Sequence, residues 1–213
     1  MTRYQYLEKV LRLVYNSQPT DDSTISYNLM NTWLQEAIGL ASKKNWVDNA
    51  QMDGLPYINN GFYQTYLGLS ISKSDINVYE VTLPQIPLAL AKNEGVSSLT
   101  IKDSKGNISY DCVPLSENQS TYYRSMRPIQ NKMLYKTEGI NVFINSPILL
   151  NSSNFTATVR MVSGGDSTNL DSILNVPDDY LSVLDDYIIP KILLEKQQGI
   201  DNQNDGMETQ KTA

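Results

Sequence analysis

The period of the hydrophobic positions changes along the chain, and each change marks an element. In "YQYLEKVLRLVYN", Tyr6, Leu7, Val10, Leu11 and Val14 recur three and four apart, which lines one face of a helix. "QPTDDST" then breaks the pattern and supplies capping oxygens and acidic charge ahead of a second helix. There Ile25, Leu29, Trp33, Ala37 and Ala41 fall every fourth residue. Two antiparallel helices joined by a short polar turn bury both stripes and make a helical segment over 1–50. Residues 51–75 keep no period and are rich in Gly, Asn and aromatics, so they read as a long ordered loop with one short helix. Loops of that length are usually functional or touch a partner.

From 76 to 165 the period falls to two. "NVYEVTLP" alternates through Val78, Glu80/Val81 and Leu83 before Pro84. "SSLTIKDSKGNISYDCVPL" predicts a hairpin, with Leu99 and Ile101 on one arm and Ile108, Tyr110 and Cys112 on the other. Glu138-Gly139 turns a second pair of alternating arms, and Phe155, Ala157, Val159 and Met161 mark a last strand. Residues 171–199 return to helical spacing, and 200–213 form a polar, mobile tail. The predicted fold is α+β: an N-terminal helix pair, a small antiparallel β-sandwich or barrel, then a C-terminal helix and tail. No internal repeat is present.

Composition narrows the chemistry. With 40% hydrophobic residues over 213 positions, the chain buries a real core. A net charge of −6 with dispersed basic residues disfavours phosphate-neutralising nucleic-acid binding, which needs a concentrated positive patch. There is no histidine, which removes the commonest general base, the Ser-His and Cys-His pairs and most transition-metal sites. Cys112, the single cysteine, sits in an alternating apolar stretch and reads as a small core residue. The N-terminal stretch is an amphipathic helix with no cleavage-type site, and no apolar run approaches the roughly 18–20 residues that span a bilayer. Without a secretory signal, the Asn-x-Ser/Thr sequons at Asn107, Asn118, Asn151 and Asn154 read as chance, and a reducing cytoplasm is the expected place of synthesis.

Each candidate for chemistry has a simpler reading. In "VPDDYLSVLDDYIIPK", Pro177 suits a first helical turn, and Asp178 and Asp179 complement the dipole there. Asp178 and Asp185 stand about 10 Å apart along the axis, too far to share one proton or ion. Leu181, Leu184, Ile188 and Ile192 form a core stripe, and Pro190 should kink or restart the helix. "DNQNDG" matches a calcium loop at Asp201, Asp205 and Gly206, but Gln203 and Thr212 stand where ligands are needed. "SGGDS" at 163–167 lacks phosphate-loop spacing and reads as the exit turn of the β segment. Lys43-Lys44 reads as the basic end of the second helix, and Trp33 as core. No cofactor or metal site and no catalytic set is assigned. An acid-pair hydrolase would need two of Asp53, Asp75, Glu80, Asp103 and Asp111 to converge.

Fourteen tyrosines against three phenylalanines suit surfaces that are apolar on one side and wet on the other. Tyr57, Phe62, Tyr63 and Tyr66 cluster in the predicted loop, and Trp46 follows the second stripe. These five are the candidate interface residues.

Three stretches resemble one family: "YNLMNTWLQEAIGLASKKNWV", "YEVTLPQIPLAL" and "VPDDYLSVLDDYIIPKILLEKQQGIDNQNDG". Together they look like head–tail connector, or ring adaptor, proteins of short-tailed, crAss-like bacteriophages. The resemblance implies a virion protein assembled in the host cytoplasm: a ring, often dodecameric, docked below the portal protein among other tail ring proteins. Double-stranded DNA would pass through the lumen without specific binding, and no membrane is involved. A ring requires heterologous, head-to-tail surfaces. An acidic wall would repel phosphates and let DNA slide. The alternative is a tail-tip carbohydrate- or receptor-binding β-module, which should display aromatics on one exposed sheet face.

Overall fold

The computed structural model describes residues 1–15, 25–88, 90, 95–103, 108–115, 132–146, 148, 150 and 154–208, with the side chains of 197–208 excepted. Two compact units share the chain, and both ends belong to the first: Met1–Gly61 with Gly164–Ala213 form one, Phe62–Ser163 the other. The fold is α+β, a helical unit and a closed seven-stranded barrel.

The helical unit holds α1 (Arg3–Val14), α2 (Tyr27–Asp53) and α3 (Leu181–Glu208). α1 begins with a capping box: Gln5 N–H donates to Thr2 Oγ1 at 3.2 Å, and Thr2 N–H donates to Gln5 Oε1 at 3.0 Å. Its Tyr6, Leu7, Val10 and Leu11 are buried, as their spacing predicts. α2 starts at the Ser26 cap and stops at Gly54, whose φ of 73° is the left-handed C-terminal conformation glycine supplies without strain. Because no glycine or proline intervenes after Gly39, the helix runs beyond Lys43-Lys44, which lie exposed in mid-helix and do not close it. The buried face of α2 includes Met30, Leu34 and Ile38 beside Trp33, Ala37 and Ala41, whereas Leu29 is exposed.

Side-chain pairings give the helix directions. Tyr6 donates to Asp185, and Lys196 lies over the ring of Tyr15, so α1 and α3 run the same way. Glu36 meets Lys191 while Asp48 meets Tyr180, so α2 opposes α3. α3 starts later than position 171: Pro177 biases Val176 to extended backbone, a 3₁₀ turn spans Asp178–Tyr180, and the α-helix follows. It runs through Pro190 without restarting and continues to Glu208, into the segment expected as a tail. Elongating an established helix adds one hydrogen bond per residue, which offsets the weak propensity of that segment. Leu184, Ile188 and Ile192 are fully buried. The turn at 18–24, the "DSKGN" turn beyond Asp103, the sequons at Asn107, Asn118 and Asn151, and the calcium-loop side chains fall outside the described residues.

The barrel contains β1 (Tyr63–Asp75), β2 (Val78–Thr82), β3 (Val96–Asp103), β4 (Ser109–Pro114), β5 (Met133–Glu138), β6 (Asn141–Asn145) and β7 (Phe155–Val162). Their order round the wall is β1-β2-β6-β5-β4-β3-β7, closing on β1. Seven strands cannot alternate direction round a closed ring, so at least one neighbouring pair must be parallel. That pair is β4–β5, Cys112↔Met133 to Pro114↔Tyr135; the other six are antiparallel.

Period two fills the interior. Leu99, Ile101, Val142, Ile144, Ala157, Val159 and Met161 are inward and buried, each large one contributing about 1.5–3 kcal/mol. On β2 the inward residues are Tyr79 and Val81, with Val78 and Glu80 half-buried; the tyrosine hydroxyl reconciles itself to burial by accepting from Leu150 N–H at 2.9 Å. β1 occupies 63–75, where a loop is expected. Its register against β7 slips between Tyr66 and Leu69, around Gly68 at φ 69°, and only Ile71 is fully buried. The bulge and the exposed positions erase the alternation that identifies a strand.

Candidate interface

The five candidate residues divide between the two units. In the helical unit, Trp46 is half-buried on α2. Tyr57 lies in the segment that folds back after Gly54. Asn45 and Asn49, one helical turn apart, hold that segment: Asn49 Nδ2 donates to the Tyr57 carbonyl at 2.9 Å, and Asn59 N–H donates to Asn45 Oδ1 at 2.9 Å. The Tyr57 hydroxyl donates to Asp53 Oδ2 at 2.6 Å, and that hydrogen bond to a carboxylate raises the phenol above its ordinary pKa. Met52 (81% exposed), Leu55 (70%) and Tyr57 (45%) thus form an apolar lobe on a hydrogen-bonded base.

In the barrel unit the aromatics do not form one exposed surface. Phe62 is fully buried, which removes it from any contact surface of this conformation. Tyr63 opens β1 half-buried, with the Arg160 guanidinium 4.5 Å over its ring. Tyr66 packs against the barrel core, donates to Ser163 Oγ at 3.3 Å and accepts from Gln85 Nε2 at 3.1 Å. The exposed apolar side chains of this unit are aliphatic instead, chiefly Leu67 beside the bulge, Ile76 at the β1–β2 turn and Ile86 after β2. Periodicity cannot find them. What signals Ile76 in the sequence is an isolated aliphatic among turn formers, as in "SDINV".

The carboxylates named for acid–base work lie apart. Asp75 is opposite Val78, Glu80 opposite Ser72 and Phe143, Asp103 opposite Phe155 and Asp111 opposite Thr100, so no register pair joins two of them. Asp53 closes α2 in the other unit. Asp111 Oδ1 accepts from Thr100 Oγ1 at 3.1 Å, and Asp75 Oδ1 from Ile76 N–H at 2.7 Å. Among the described residues, no three His, Cys, Asp or Glu side chains gather as a metal site. Burial, with the Asp111 charge adding, pushes the Cys112 thiol up to about 12, the behaviour of a core residue.

The "SGGDS" stretch is the exit turn of the barrel. Gly164 has φ 67° and backs onto Ile38, whose Cγ2 would stand 2.6 Å from an added Cβ; at Gly165 a Cβ would collide with the Ile173 carbonyl oxygen. The Gly164 carbonyl accepts from Arg3 Nη1 at 3.0 Å. Among the described residues, no helix is long and apolar enough to cross a membrane. Comparison with known proteins finds no family model that matches the chain and no curated protein that matches it.

Proposed function

We propose that the chain is a structural subunit of a ring at a phage head–tail junction, a connector or adaptor that docks to the portal and lines the DNA channel. The observation that supports this most is the pair of unlike exposed apolar surfaces on one chain. The helical unit offers the Met52, Leu55 and Tyr57 lobe, and the barrel unit offers single aliphatic side chains at its ends. Head-to-tail association needs two different patches per subunit, whereas a two-fold dimer needs one. The net charge of −6 suits a lumen that passes DNA without holding it.

The test is the copy number of this chain relative to the portal protein in purified virions, by quantitative mass spectrometry. A ratio near one is expected. Absence from the particle would end the reading, and a low ratio with localisation at the tail tip would favour receptor binding.

A further inference from the structure

The net charge of −6 is unevenly divided. The helical unit carries eight Lys and Arg against sixteen Asp and Glu, a net −8, whereas the barrel unit carries nine against seven, a net +2. Residues 45–61 and 164–190 supply eight aspartates and no lysine, arginine or glutamate. Those two stretches meet: the Tyr180 hydroxyl donates to Asp48 Oδ2 at 3.1 Å, and a Cβ on Gly61 would stand 2.8 Å from Pro177 Cγ. The lobe of Met52, Leu55 and Tyr57 belongs to this acidic region, and Asp53, Asp178 and Asp179 are exposed in the same stretches. Two copies cannot join through this surface, because carboxylates would face carboxylates with no donor between them. Its partner must offer cations and hydrogen-bond donors around an apolar contact.

One wall of the barrel offers both. Paired residues of a ladder share a face: Arg160 pairs with Thr65 and Ser98, and Lys102 with Thr156, while Ala157, Val159 and Met161 line the core. Over this span the outward side of β1, β7 and β3 therefore carries hydroxyls and two cations, without a carboxylate. Asp111, on the neighbouring β4, accepts from the Thr100 hydroxyl at 3.1 Å. Thr65, Ser98 and Lys102 are exposed, and Leu67, 72% exposed at the β1 bulge, adds an aliphatic contact.

We propose that the acidic lobe of one copy docks on the β1–β7–β3 wall of a second copy. Its carboxylates meet Lys102, Arg160 and the hydroxyls, and its apolar side chains lie beside Leu67. Unlike surfaces of one chain make the contact heterologous, so it propagates from copy to copy until the rotation between them closes a ring. The contact deepens the ring reading, on which its place in a ring rests.

The experiment is sedimentation of the full-length chain across a concentration series. Wild type should associate beyond the dimer, and more weakly as NaCl rises from about 50 to about 500 mM, because the contact joins charges of opposite sign. Leu55→Lys damages the lobe and Lys102→Glu damages the wall. Each should weaken self-association by about tenfold or more with unchanged circular dichroism and melting temperature. Mixed together, the two variants should form dimers that grow no further, because each retains the surface the other has lost. A wild type that stays monomeric at every concentration overturns the contact, as does a mixture no more associated than its components. If Leu55→Lys chains still occupy virions at one per portal subunit, the contact is wrong and the ring reading stands. If wild type is absent from virions yet the mixture dimerises, the ring reading fails and the contact stands.

Discussion

The helical unit and the barrel solve the burial problem by different means. The barrel interior is apolar, with period-two residues from neighbouring strands meeting in one cluster; the hydroxyls of its two fully buried tyrosines, Tyr79 and Tyr135, each hydrogen-bond to backbone. The helical unit adds polar clasps to its apolar stripes. Arg3, fully buried, donates to Asn31 Oδ1 at 2.9 Å, Gln35 Oε1 at 3.1 Å and the Gly164 carbonyl at 3.0 Å. Tyr6 donates to Asp185 at 2.7 Å, and Glu36 accepts from Tyr187 at 2.8 Å and Lys191 at 2.5 Å. Helices offer only a few ridges to one another, and a directional clasp fixes register where a stripe alone would permit sliding. A closed barrel has its register set by the ladder itself.

The sharpest way to break this comparison is a pair of buried charges. Leu184→Asp and Val159→Asp each place a carboxylate at a fully buried site, at a cost above about 4 kcal/mol. Leu184→Asp should erase the helical far-UV signal while β7 amides stay protected from hydrogen exchange. Val159→Asp should expose those amides. Loss of β7 protection in Leu184→Asp would show that the barrel has no stability of its own. Next comes Arg3→Met, which leaves Asn31, Gln35 and the Gly164 carbonyl without the guanidinium; about 3–4 kcal/mol should be lost in urea unfolding.

Glycine substitutions sharpen the contrast at smaller magnitude. Gly164→Ala meets both positive φ and the Ile38 side chain, and should cost about 3 kcal/mol by thermal denaturation. Gly139→Ala, at φ 59° in the β5–β6 turn with open space around it, should cost about 1 kcal/mol.

Titration gives the smallest effects. Hydrogen bonds from Lys191 and then Tyr187 hold Glu36 below the ordinary carboxylate range. Such a group contributes stability above its unfolded pKa, about 4.3, and that contribution is lost as pH falls through the lower folded value. Burial pushes Tyr135 up to about 12 in the barrel, raises Tyr6 in the helical unit, and pushes Cys112 up to about 12. Raised groups contribute below their unfolded values, about 10 for tyrosine and about 8.5 for cysteine, and lose that contribution as pH climbs. Acid below about pH 4 should therefore loosen the α2–α3 contact, and strong base both units, as read by hydrogen exchange against pH. Glu36→Gln should cost less than about 1 kcal/mol at neutral pH, since the pair is largely solvated, and should flatten the acid limb.

The barrel strands from β3 to β7 were legible because inward and outward residues alternate, and Leu99↔Cys112 and Ile101↔Tyr110 pair as the hairpin predicts. β1 was not, because a bulge resets its parity and its inward positions include half-buried Tyr66 and Leu69. The helix stripes were legible and the clasps were not. Arg3 reaches Gly164, Tyr6 reaches Asp185 and Glu36 reaches Lys191, each across more than a hundred residues, and local spacing holds no trace of such partners. For the candidate interface, exposure of Tyr57 followed from its turn, whereas burial of Phe62 followed from the start of β1, which the aromatic-rich composition concealed.

The pairing of Tyr63 with Val162 leaves the two ends of the barrel sequence about 5 Å apart. To the helical unit, whose two pieces stop at Gly61 and resume at Gly164, a folded barrel is a short connection. An unfolded one is a loop of residues 62–163, and closing a loop that long costs about 3 kcal/mol more than closing a few residues. The helices therefore assemble at a discount once the barrel has formed. Melting the barrel should lower their stability by that amount with no helix contact altered, and by linkage a melted helical unit withholds the same amount from the barrel.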